Sequence, residues 1–174
     1  DLKWKKVALV TTTGLAYSES LTAIFKPALA KYGIEIVAEQ SIMEKDTNFS
    51  AQVTNLSKKQ FDGLIFTGYY TEGALFMKEM RKQGLNQVMV GGDGLLGKEL
   101  YQMGEKAVEG SMVYTGFEST DNAEGKTKEF IDKYKAKFNA KPDMFAAQGY
   151  DAVMLVADAM KAAGSSDPSK FKEK

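Results

Sequence analysis

Five short apolar runs, each followed by a longer stretch of helical period or a turn, constrain this chain more than any other feature. Lys6-Val7-Ala8-Leu9-Val10-Thr11-Thr12 is apolar almost without a break, as in a strand buried on both faces. Ile34-Glu35-Ile36-Val37-Ala38, Gly63-Leu64-Ile65-Phe66-Thr67, Gln87-Val88-Met89-Val90 and Ser111-Met112-Val113-Tyr114-Thr115 read as the other four strands. Between them the spacing predicts a helix over 19–32, capped by Ser18, with Leu21, Ile24, Phe25, Leu29 and Tyr32 on one face. Pro27 should kink it and Gly33 should end it. A helix over 49–60 turns Phe49, Val53 and Leu56 inward. Thr71 caps a further helix to Lys82, built on Ala74, Leu75, Met77 and Met80 and closed by Gly84, and a short helix covers 95–103. Parallel neighbours need crossover connections, so the pattern predicts an α/β fold: a five-stranded, mainly parallel sheet with helices on both faces.

The character changes after Gly116. Only helices follow, over 123–138 and 144–163. The second is apolar around most of its circumference, from Met144 and Phe145 to Ala159 and Met160, and such a helix calls for burial on several sides. Asp167-Pro168 is a helix-start signal with six residues after it. The expected organisation is an α/β ligand-binding lobe over 1–116, two helices over 117–164, and a truncated tail over 165–174. The chain begins at Asp1, not Met, which suggests a processed or truncated product.

Composition removes whole classes of chemistry. The 174 residues contain no histidine and no cysteine. An imidazole base, a Ser-His-Asp triad, a thiol nucleophile, a disulfide frame and His- or Cys-ligated metals are therefore excluded. Basic and acidic residues balance at 23 each, which argues against a nucleic-acid binder. No run approaches the roughly 18 apolar residues of a membrane span. No pair of carboxylates has a spacing that marks an acid–base couple. A phospho-accepting receiver domain would need clustered acids straight after the first strand, where Thr11-Thr12-Thr13 stand. The lysine clusters at Lys3, Lys5, Lys6 and at Lys170, Lys172, Lys174 read as solvated ends.

One edge of the sheet gathers the candidate site. Ligands of open α/β sheets bind outside the carboxyl ends of the strands. Tyr17 follows the first strand, Tyr69-Tyr70 the third, and Asp93 the fourth. Each tyrosine alone fits partial core packing equally well, but all three places on one edge favour binding. A carboxylate pairs with an ammonium group through a charge-assisted hydrogen bond, and tyrosines hold cations or apolar side chains. Gly92-Asp93-Gly94-Leu95-Leu96-Gly97 also matches the G-x-G-x-x-G dinucleotide fingerprint. It lies on the fourth strand, though, not the first, and Asp93 would repel a pyrophosphate.

These residues resemble the amino-acid-binding periplasmic proteins of ABC importers, of the leucine/isoleucine/valine-binding type. The resemblance rests on Val7 to Thr12 with Tyr17, on Thr67-Gly68-Tyr69-Tyr70, and on Val90-Gly91-Gly92-Asp93-Gly94. The most specific stretch holds Phe130, Tyr134, Phe138, Pro142, Ala146 and Tyr150-Asp151-Ala152. It implies the second lobe of a two-lobed protein that closes around its ligand, with the helices over 117–164 returning to the other lobe. It implies that Asp93 takes a ligand ammonium, that Tyr17 and Tyr69 line the face, and that Phe145 lies near the ligand's side chain. Ser18 stands where the family often has glycine, and Asp93 where some branched-chain binders have glutamate. The resemblance further implies no catalysis, no cofactor, an ABC permease as partner, and a periplasmic or extracellular place, with a lipid anchor as one form. A homodimer through helix 144–163 is expected, since large apolar patches rarely stay bare. Two alternatives remain open: a nucleotide-binding enzyme using the 92–97 turn, and the ligand-sensing domain of a receptor or repressor.

Overall fold

The computed structural model describes residues 2–172, and the chain divides into two compact units, Asp1–Tyr114 and Thr115–Lys174. The first unit is built on five parallel strands: β1 (Lys6–Thr13), β2 (Glu35–Met43), β3 (Gly63–Phe66), β4 (Met89–Gly91) and β5 (Met112–Val113). Their order across the sheet is β2-β1-β3-β4-β5. Helices α1 (Ala16–Lys31), α2 (Ser50–Leu56), α3 (Tyr70–Lys82) and α4 (Lys98–Gly104) connect them. This is the α/β sheet that the alternating runs predict.

Strand alternation sorts the core into two layers. Ala8 and Val10 of β1 join Leu64 and Phe66 of β3 against Val53, Leu56, Phe76, Met77, Met80 and Leu100. Val7, Leu9 and Ile65 point to the opposite face, where Phe25 and Leu29 of α1 cover them. Helices thus lie on both faces. Each fully buried Leu, Phe or Met contributes about 1.5–3 kcal/mol relative to exposure, and twelve of the larger side chains are buried this deeply.

Glycines end two helices as expected. Gly33 has φ +69°; its N–H reaches Ala30 O at 3.0 Å, and the Ile34 N–H reaches Leu29 O at 2.9 Å. Gly84, at φ +82°, repeats the arrangement with Arg81 and Met80. Both are Schellman closures, which the left-handed conformation of glycine permits.

Several local expectations are corrected. Ser18 does not cap α1: the N-cap is Leu15, and Ser18 is buried within the first turn. Thr71 likewise lies inside α3, whose N-cap is Tyr69. Ile24 and Tyr32, expected on the inner face of α1, are 65% and 73% exposed. Ile24 sits at the margin of the Leu21/Phe25/Leu29 stripe, and Tyr32 is the C-cap, where the helix has ended. β2 runs five residues past Ala38 because it pairs with β1 as far as Thr13↔Met43. β5 shrinks to two residues at the sheet's edge, where it has one neighbour. The 95–103 helix begins instead as a 3-10 turn, Asp93–Leu95, followed by α4.

The second unit contains α5 (Gly125–Phe138), α6 (Met144–Ala163) and α7 (Pro168–Phe171). Asp143 caps α6 by accepting the Ala146 N–H at 2.8 Å. Asp167 caps the single turn of α7 through the Ser169 N–H at 3.0 Å, with Pro168 at its start. Phe130, Ile131 and Ala147 form a small core, and the Phe130 and Tyr150 rings meet at 4.8 Å. Farther along, α6 is bare: Val153 is 69% and Leu155 72% exposed. No helix among the described residues is long and apolar enough to cross a membrane.

Candidate ligand-binding site

The order β2-β1-β3-β4-β5 reverses direction between β1 and β3. In sheets of this order the crevice at that switch point receives the ligand. Tyr17, in the first turn of α1, stands beyond β1. Tyr69 stands beyond β3, and Asp93 beyond β4. The two tyrosine rings stack, 5.2 Å between centroids and 7° between planes. The Tyr17 hydroxyl donates to Asp93 Oδ1 at 2.6 Å and accepts the Gly94 N–H at 2.9 Å. Three residues far apart in sequence thus form one polar–aromatic assembly at the carboxyl edge of the sheet.

The protonation of this assembly follows from its surroundings. Burial raises the Tyr17 phenol well above its ordinary value, and the hydrogen bond to the Asp93 carboxylate raises it further; the Gly94 N–H opposes this. Tyr17 is therefore a neutral donor throughout the physiological range. A carboxylate such as Asp93 pairs with an ammonium group through a charge-assisted hydrogen bond.

Gly92 and Gly94 of the 92–97 turn have a steric explanation. A Cβ on Gly92 would stand 2.6 Å from the Tyr17 hydroxyl, and one on Gly94 would stand 2.8 Å from both the Tyr17 and Tyr69 rings. They admit the aromatic pair. The dinucleotide reading is weakened by the same geometry. The Gly94 N–H that a phosphate would seek already donates to Tyr17, Leu95 is fully buried, and α4 has only seven residues.

Tyr70 departs from the expected cluster and packs against the main core. Phe145 belongs to the second unit, in the first turn of α6, and is 41% exposed. No group of three or more acidic residues among those described could hold a metal. The sequence reading missed a set of hydroxyls beneath the site. The Ser18 hydroxyl accepts the Thr12 N–H at 2.8 Å and lies 2.8 Å from Thr67 Oγ1. Thr67 ends the third apolar run, and a threonine fully buried there is the signal that could have revealed it.

Comparison with known proteins agrees with this architecture. A family model described as periplasmic binding protein matches residues 1–174. The Leu/Ile/Val-binding protein homolog 3 of Brucella melitensis is 32% identical over 97% of this chain and 45% of its own length. The Leu/Ile/Val-binding protein BraC3 of Rhizobium johnstonii is 30% identical over 98% of this chain and 45% of its own. Among solved structures, the leucine binding protein LivK from Thermotoga maritima superposes with a TM-score of 0.88, at 32% identity, over 99% of this chain and 49% of that one. The substrate binding protein LivJ from Streptococcus pneumoniae, in complex with isoleucine, gives 0.80 at 34% identity, over 99% and 49%. The chain spans about half the length of the relatives it matches. With its type I sheet and a match along its whole length, this chain belongs to the periplasmic binding protein family.

Proposed function

We propose that this chain is one lobe of the extracytoplasmic solute-binding component of an ABC importer, and that it holds an amino acid, branched-chain or similar, without catalysis. The observation that carries the reading is the Tyr17–Asp93–Tyr69 assembly at the switch point of the sheet. Asp93 takes the ligand's α-ammonium, and the fixed Tyr17 hydroxyl holds the carboxylate in place. The stacked tyrosines offer an aromatic wall. The isoleucine complex of LivJ supports the choice of ligand class. α5 and α6 return to the other lobe of the whole protein, which works in the periplasm or outside the cell, free or lipid-anchored, and delivers its ligand to a permease.

Thermal unfolding of the chain against millimolar amino acids and NAD tests this. A ligand at 100 times its dissociation constant adds about 2.7 kcal/mol. A rise in midpoint with leucine or isoleucine, lost in Asp93→Ala, is expected. A rise with NAD but not with amino acids would overturn the reading in favour of a nucleotide site.

A further inference from the structure

The hydroxyl groups beneath the site form a directed network. A carbonyl oxygen only accepts, so Thr67 Oγ1 gives its one proton to Val10 O at 3.1 Å. Thr67 must then accept from Ser18 at 2.8 Å and from Thr22 at 3.0 Å. Thr22, having donated, accepts from Thr11 at 2.8 Å. Ser18 in turn accepts the Thr12 N–H at 2.8 Å. Every hydroxyl proton in this chain of bonds has a destination, and the bonds join β1, the end of β3 and the first two turns of α1.

We infer that this relay positions Tyr17: Ser18 and Thr67 set the first turn of α1 on the sheet, and so place the Tyr17 hydroxyl against Asp93 before a ligand arrives. Ser18 is the residue after Tyr17, fully buried. The N-cap Leu15 supplies no side-chain bond to this turn. Apart from the Tyr17 bonds themselves, the exposed Glu19 carboxylate of this turn accepts the Gly14 N–H at 2.8 Å. Asp93 and Gly94 come from the far side of the switch point, beyond β4. The 2.6 Å bond therefore depends on how the turn carrying Tyr17 is seated on β1 and β3. Satisfied buried networks of this kind hold a single geometry because each broken bond leaves an orphaned group.

The functional consequence rests on the reading of Tyr17 and Asp93 as ligand groups, but the test needs no ligand. The Gly94 amide touches Tyr17 and none of the relay hydroxyls, so its proton chemical shift reports where Tyr17 stands. Tyr17→Phe gives the shift for a lost acceptor. Thr67→Val, which keeps the shape and removes the hydroxyl, is expected to move the Gly94 proton upfield towards that value. Thr67→Ser, which keeps the hydroxyl, is expected to leave it near the unsubstituted position. Thr22→Val, at a half-buried site, repeats the experiment should Thr67→Val fold poorly. An unmoved Gly94 proton in both valine variants would overturn the inference, as would an equal displacement in Thr67→Ser and Thr67→Val. Neither result bears on whether the chain binds amino acids. Conversely, the expected shifts in a chain that binds none would sustain the relay and remove the ligand reading.

Discussion

The Tyr17 phenol donates to Asp93 Oδ1 across 2.6 Å, bridging 76 positions in sequence and the switch point of the sheet. The bond makes Asp93 a held carboxylate and makes Tyr17 its fixed partner. Most of what can be tested about this chain follows from it.

Tyr17→Phe keeps the stacked ring but removes the hydroxyl. The Gly94 N–H then loses its acceptor and Asp93 loses a donor. Stability should fall by about 1–3 kcal/mol, measured as a lower urea midpoint at unchanged slope. A variant as stable as the parent would show that water replaces both contacts without cost.

Gly94→Ala tests the steric reading of the turn. Its Cβ would press on both tyrosine rings at 2.8 Å. Overpacking of this kind costs about 1–3 kcal/mol, and the ring pair should separate. Near-ultraviolet circular dichroism would register the lost tyrosine stacking. Gly164→Ala, with nothing within 4 Å of its Cβ but φ +60°, should lower stability through backbone strain while leaving that signal intact.

The raised phenol of Tyr17 makes stability depend on alkaline pH. In the unfolded chain tyrosine titrates near pH 10, whereas folding shifts Tyr17 upward. The folded state therefore holds this proton more tightly. The stabilisation is fully present below about pH 10 and is lost as pH rises through the folded value. Absorbance at the phenolate band should show one tyrosine resisting ionisation until the chain unfolds. In Tyr17→Phe that resistant step should be missing.

The bare apolar surface of α6 predicts self-association. Val153 and Leu155 are 69% and 72% exposed and lie on different sides of the helix, so apolar surface is bare around much of its circumference, and large apolar surface tends to be covered. Sedimentation velocity should show a concentration-dependent dimer, weakened by Val153→Lys with Leu155→Lys. A monodisperse monomer at all concentrations would contradict this.

The legible parts of this fold were those governed by local rules. The apolar run Val7 to Val10 and the stripe Ala74, Met77, Met80 each carry their period within a short window. Gly33 and Gly84 announce helix ends because few other residues take a left-handed backbone. Strand lengths were less legible: β2 continues to Met43 only because β1 continues beside it. Ser18 and Thr71 look like caps when judged locally. For Ser18 the competing partner is Thr67, 49 positions away, which no window around the helix start contains. The site divides in the same way. Tyr17, Tyr69 and Asp93 could be placed on one edge by counting strands. Their stacking, their hydrogen bond and the hydroxyls beneath them depend on tertiary packing alone.

The most direct test of the central claim is an NMR titration of the chain with L-isoleucine and with 3-methylpentanoate, the same molecule without its ammonium group. The account predicts that the Asp93 and Gly94 amides shift with L-isoleucine and stay still with 3-methylpentanoate. Equal shifts with both, or none with L-isoleucine at tens of millimolar, would contradict it.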